Sequence, residues 1–151
     1  MEKTLLYKLF GFGKMPSEIK ESLQHEGIRF LEEGIRVSVT YKNFRTPVKY
    51  HSLKKEFFPG SLALTENRVI GFAYTKRIIN VGFDETKFDY LDIVLEKEKK
   101  LAVTFDVSKF QDDMSGILTY RSSTPNALGI AEFIESKTST SIKGVDRLKK
   151  K

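Results

Sequence analysis

FFPGSLALTENRVIGFAY, residues 57–74, reads as two strands joined by a tight turn. Leu62 and Leu64 alternate with Ser61 and Ala63, Thr65-Glu66-Asn67-Arg68 supplies turn chemistry, and Ile70 and Phe72 resume the alternation. Placing Leu62 opposite Phe72 and Leu64 opposite Ile70 makes one continuous apolar face. That register needs a three-residue loop of Glu66, Asn67 and Arg68, which puts the left-handed position on Arg68 although Asn67 tolerates it better. The two demands conflict, and the register stays open at this level.

Upstream, Ile35, Val37, Val39 and Tyr41 alternate strictly with Arg36, Ser38, Thr40 and Lys42, the cleanest half-buried strand in the chain. Gly34 suits a bulge joining Ile28–Leu31 to the same strand. After a loop broken by Pro47, a second strand starts near Leu53, bends at Pro59-Gly60 and continues to Leu64. Before these strands, Pro16-Ser17 opens a short helix with Ile19 and Leu23 on one face and Gly27 as its stop. Residues 4–15 are apolar on every side and read either as a segment packed on the domain or as an in-plane membrane anchor. The stretch is shorter than the roughly 20 residues of a membrane span and lacks a signal-peptide cleavage site, so a cytoplasmic protein, at most peripheral at a membrane, is expected.

Downstream, short polar turns separate Ile78–Phe83, Phe88–Glu96, a strand holding Leu101, Val103, Phe105 and Val107, and Gly116–Ser122. Lys97-Glu98-Lys99 reads as a charged hairpin tip. Thr124-Pro125 starts a helix whose Ala127, Ile130, Ala131 and Ile134 fall on one stripe, widened by Leu128 and Phe133. The expected organisation is an N-terminal apolar segment with a short helix over 1–27, one domain over 28–137, and a flexible basic tail over 138–151 without a packing face.

At 151 residues the chain buries about two-thirds of its unfolded surface without staples. The absence of cysteine excludes disulfides, thiolate metal sites and cysteine nucleophiles. No connection between strands is long enough for a parallel crossover. Seven strands in a meander closed by one amphipathic helix therefore imply a mainly β fold: a small antiparallel barrel or two packed sheets, with the C-terminal helix over an open end. This set resembles the pleckstrin-homology-like (PH-like) superfamily. Gly60–Phe72, GSLALTENRVIGF, is similar to the central hairpin of GRAM and bacterial PH-like domains: a small residue leading an apolar strand, a threonine, then an arginine entering the next strand. The resemblance covers roughly 28–137. Eukaryotic PH domains usually carry a tryptophan in the final helix and this chain has none, which points to the GRAM-like and bacterial branch.

Nothing in the sequence proposes a reaction, so a non-enzymatic module without cofactor or metal is expected. Two histidines argue against a metal site, Gly13-Lys14 is followed by Met15 where a phosphate loop needs Ser or Thr, and Ser61 lacks the glycine spacing of a nucleophile elbow. Asp112-Asp113 reads as a solvated tip without a further spaced ligand. Arg68 reads as a structural strand-entry residue bonded to loop carbonyls.

The informative feature is basic. Arg36, Lys42, Arg45, Lys49, Lys54 and Lys55 lie between positions 36 and 55 with no acid among them and with Tyr41, Phe44 and Tyr50 interleaved. The resemblance implies that the loop here is the PH-like ligand loop, making Lys42, Arg45, Lys49, Lys54 and Lys55 the candidate ligand-binding residues for an anionic lipid or membrane surface. Lys42-Asn43-Phe44-Arg45 departs from the usual phosphoinositide pattern, so weak attraction to an anionic surface is expected rather than stereospecific headgroup recognition. Lysines that only keep a hairpin soluble are the bland alternative. A protein partner at a sheet edge or beside the final helix is the competing class. Nucleic acid ranks lower, because a net charge of +6 is modest.

Overall fold

A computed structural model describes residues 13–97 and 99–146. Its organising element is β1 (Ile28–Arg45), an 18-residue strand whose antiparallel neighbours are β2 (Tyr50–Thr65) and β7 (Ser115–Ser123). With β3 (Arg68–Ala73), β4 (Lys76–Gly82), β5 (Asp92–Lys97) and β6 (Lys100–Asp106), they form one seven-stranded sheet in the order β4-β3-β2-β1-β7-β6-β5. The sheet curls into a half-barrel, joined by a short N-terminal helix α1 (Ser17–Glu26) and a C-terminal helix α2 (Ala127–Lys137). The mainly β, all-antiparallel fold expected from the sequence is thus observed. Its two halves share β1 and make one continuous sheet.

Two glycines allow the curl. Gly34 takes a φ of 69° where the β1–β2 register shifts between Glu33 and Ile35, which is the anticipated bulge. Gly60 marks the bend in β2, where a Cβ would lie 2.3 Å from the Phe72 carbonyl oxygen and 2.7 Å from Val37 Cγ2. Beyond the bulge, Ile35, Val37, Val39 and Tyr41 all face the inner core.

The hairpin of residues 57–74 takes a different register from the one that a single apolar face favours. Leu64 pairs with Val69, Leu62 with Gly71, Ala63 with Ile70 and Ser61 with Phe72. Leu62, Leu64 and Val69 therefore enter the inner core, while Ala63, Ile70 and Phe72 face outward beneath Met15 and Leu23. Helix α1 covers that outer side, so both faces of the hairpin are apolar and alternation alone does not fix their pairing. The loop is only Glu66-Asn67, closed by Thr65 Oγ1 accepting from the backbone N–H groups of Asn67 and Arg68, each at 3.1 Å. None of Glu66, Asn67 and Arg68 takes a positive φ, which removes the conflict over the left-handed position.

Tyr120 of β7 locks the inner side. It packs under Gly71, and its hydroxyl donates to the carbonyls of Ser61 at 3.1 Å and Phe72 at 3.0 Å. Burial pushes this phenol above its ordinary range, so it remains a donor. Tyr120→Phe keeps the ring and removes the donor; a loss of about 1–2 kcal/mol in denaturant unfolding is expected. An unchanged midpoint would show that those carbonyls need no phenol.

Three boundaries differ from the sequence reading. Phe88–Tyr90 do not begin a strand: Thr86–Tyr90 is a 3-10 turn, and β5 starts at Asp92. The Glu85 carboxylate caps the Gly82 N–H there, and Phe88 turns in to meet Phe83 at 5.7 Å between ring centroids. Helix α2 starts at Ala127, after Pro125, because Asn126 N–H bonds to Thr124 Oγ1 while Thr124 Oγ1 and Asn126 Nδ2 both donate to the buried Glu32 carboxylate. Residues beyond Lys137 do have an apolar contact: Ile142 and Val145 are 3% and 1% exposed, within the main core. Lys143 forms a parallel bridge with Val94, and its carbonyl accepts from Leu95 N–H at 2.8 Å. The expectation of a tail without a packing face is corrected over 138–146. The reading of 4–12, Glu98 at the hairpin tip and the basic residues from 147 onward lie outside the described residues.

Candidate functional site

In an antiparallel sheet, paired residues project to the same side, so the pairing says which basic residues share a face. Outward from β1 point Arg36, Ser38, Thr40 and Lys42. Across β2 they meet Pro59, Phe57, Lys55 and Leu53; across β7 they meet Ser123, Arg121, Thr119 and Ile117. β6 continues the rows, with Lys100 opposite Ser123, and β5 adds Lys97 opposite Lys100. The outer face of the half-barrel therefore gathers cations from five strands.

Two adjoining depressions lie on this face. One of about 500 Å³ is lined by Arg36, Ser38, Lys55, Phe57, Lys100 and Arg121. The other, about 320 Å³, is lined by Arg36, Lys97, Lys99, Lys100, Ser123 and Thr124. Arg36, Lys100 and Ser123 belong to both. Carboxylates temper the charge: Glu96 Oε1 accepts from Arg121 Nε at 3.0 Å, and Asp106 and Asp92 end the rows of Lys42 and Lys55 on β6 and β5. Apolar side chains stand beside the cations, with Phe57 74% and Leu53 72% exposed. Lys55 Nζ sits 5.2 Å from the centre of the Phe57 ring, a cation–π contact at the surface.

Of the five candidate residues, only Lys42 and Lys55 sit squarely on this face. Lys54 pairs with Tyr41 and projects to the opposite side, with its Nζ 3.9 Å from Glu56 Oε1. Burial, with Glu56 beside it, holds the Tyr41 phenol above its usual range. Arg45 follows a bulge at Asn43 (φ 51°) and lies over the Tyr50 ring at 4.8 Å. Lys49 belongs to the connecting turn, where its N–H donates to Thr46 Oγ1 at 3.0 Å. The five do not converge on one pocket. Arg36 is in the same basic run but outside the candidate set; Lys97, Lys99, Lys100 and Arg121 come from β5–β7. Alternation around Leu101 and Tyr120 already turns Lys100 and Arg121 outward, but that β7 lies against β1 is a long-range fact with no local signal.

Arg68 has a structural role, with a different partner from the one expected. Its Nε and Nη2 bind both carboxylate oxygens of Glu26 on α1, at 3.1 and 2.6 Å, and Nη1 donates to Asn80 Oδ1 at 3.1 Å. This bidentate pair ties α1 to the turn of the β2–β3 hairpin. Among the described residues, no helix is long and apolar enough to cross a membrane. Comparison with protein-family models and with curated proteins finds no match.

Proposed function

We propose that the protein is a non-enzymatic, PH-like binding module that meets anionic membrane surfaces with the outer face of its half-barrel. The observation that carries this reading is one surface on which Arg36, Lys42, Lys55, Lys97, Lys100 and Arg121 surround the protruding Phe57 and Leu53. Cations draw the face to an anionic leaflet, and exposed apolar side chains enter the headgroup boundary once there.

Sedimentation with phosphatidylcholine vesicles, with and without phosphatidylserine, tests it. The wild type is expected to sediment with anionic vesicles at low salt and to be released as salt screens the charges. Each basic residue near such a surface contributes about 1 kcal/mol, so Lys42→Glu/Lys55→Glu/Lys100→Glu should bind roughly a hundredfold more weakly. A sharper control compares Lys55→Glu with Lys54→Glu, neighbours with equal charge change on opposite faces. Equal behaviour of these two single variants, or no sedimentation of the wild type, removes the membrane reading.

A second reading rests on a different observation. β3 pairs with β2 only over Gly60–Leu64, so the Tyr50–Phe58 half of β2 has β1 on one side and no paired strand on the other among the described residues. An extended peptide would add there as a further strand. Stoichiometric peptide binding without vesicle binding selects this alternative.

A further inference from the structure

The inner side of the half-barrel holds a cleft that the outer-face reading does not use. It has a volume of about 440 Å³ and runs between the edge strand β4 and the β1–β7–β6 wall. Tyr41, Phe44, Leu91, Phe105, Phe110 and Leu118 give it an apolar wall. An antiparallel sheet closed into a full barrel would fill this space with facing side chains; here β4 and β5 are the two ends of an open sheet.

The mouth carries an excess of positive charge, three cations against one carboxylate. Lys76 and Arg77 open β4, and Lys87 reaches from the 3-10 turn to lie 6.0 Å from the centre of the Phe110 ring. All three line the cleft, and none takes part in the ion pairs found among the described residues. The acidic residue in the lining, Glu85, has its carboxylate engaged by the Gly82 N–H. Asp112 and Asp113 belong to the neighbouring loop and are not part of the lining.

An apolar wall inside a cationic rim is complementary to one class of molecule. We infer that the cleft takes a single-chain anionic amphiphile of the fatty-acid type, its hydrocarbon chain along Phe44, Leu91 and Leu118 and its carboxylate at Lys76 and Lys87. The volume lies within the range of sites for small ligands, and an ammonium–carboxylate hydrogen bond is charge-assisted. This site is separate from the outer face and does not depend on the membrane reading, since a monomeric amphiphile meets it in solution.

The test is calorimetric titration of the full chain with dodecanoate below its critical micelle concentration. Dodecyltrimethylammonium carries the same chain with opposite charge, and acetate supplies the headgroup alone. Saturable one-to-one binding of dodecanoate is expected, with neither control competing at equal concentration. Lys76→Glu/Lys87→Glu alters exposed positions at the mouth and should weaken binding roughly tenfold. Met114→Trp fills the cleft from its half-buried rim and should reduce binding at least as much, with thermal melting checking that each variant folds. Absence of saturable binding, equal affinity for the cationic amphiphile, or full affinity in either folded variant overturns the assignment. Vesicles are absent throughout, so a failure here leaves the outer-face result untouched.

Discussion

Ending the chain after Lys137 is expected to lower its stability by about 3–6 kcal/mol, because two fully buried aliphatic side chains are worth about 1.5–3 kcal/mol each. Ile142 and Val145 are those side chains, set into the same core as Leu95 and Ile134. Their removal also leaves Leu95 N–H without the Lys143 carbonyl, 2.8 Å away, and Glu135 without the Ile142 N–H it accepts at 2.8 Å. The backbone there is shaped for contact. Gly144 has a φ of 96°, and a Cβ on it would fall 2.1 Å from the Leu95 carbonyl oxygen. Denaturant unfolding of the 1–137 fragment against the full chain measures the loss. Equal midpoints would mean that residues 138–146 rest on the core without stabilising it.

Ile134→Ala is expected to cost about 2–5 kcal/mol, the range for truncating a buried aliphatic side chain and leaving a cavity. Ile134 is 1% exposed on the stripe of α2 that includes Ile130 and Ala131. Phe133 on the same helix meets Phe30 and Phe83, each with ring centroids 5.9 Å away, so the helix has neighbours that limit its collapse into the cavity. Substitution at Glu132, half-buried on the same helix, supplies the comparison. Thermal melts of both variants should show a large shift only for Ile134; a small one would mean that α2 does not cap the core.

The fold was legible because its signals are local. Strict alternation over Ile35–Tyr41, the bulge at Gly34, the bend at Gly60 and the stripe of α2 each reside in a few neighbouring residues. The hairpin register was not legible, since α1 buries the face carrying Ile70 and Phe72, and a strand buried on both sides has no apolar phase to read. The tail was misread for a related reason. Ile142 and Val145 are single apolar residues among polar ones, and only the groove beside Val94 gives them somewhere to sit. The candidate site was half legible. Lys42 and Lys55 follow from alternation within one hairpin, whereas Lys100 and Arg121 join them through strand pairings between distant parts of the chain.

The long β1 also governs the order in which the molecule can be completed as it is made. Its pairing with β2 is available as soon as that neighbour leaves the ribosome. Its other edge must wait for β7, whose Arg121 lies 81 positions beyond the Thr40 it contacts. At translation speeds of about 5–20 residues per second, that edge stays bare for several seconds. For this interval the nascent chain exposes unpaired backbone along Arg36–Lys42 together with the apolar side chains meant for the core, the combination that invites pairing with another chain. Arg36 and Lys42, on the outward side of that strand, put like charge on any two copies during the delay, a repulsion that opposes such pairing until Ser115–Ser123 arrives.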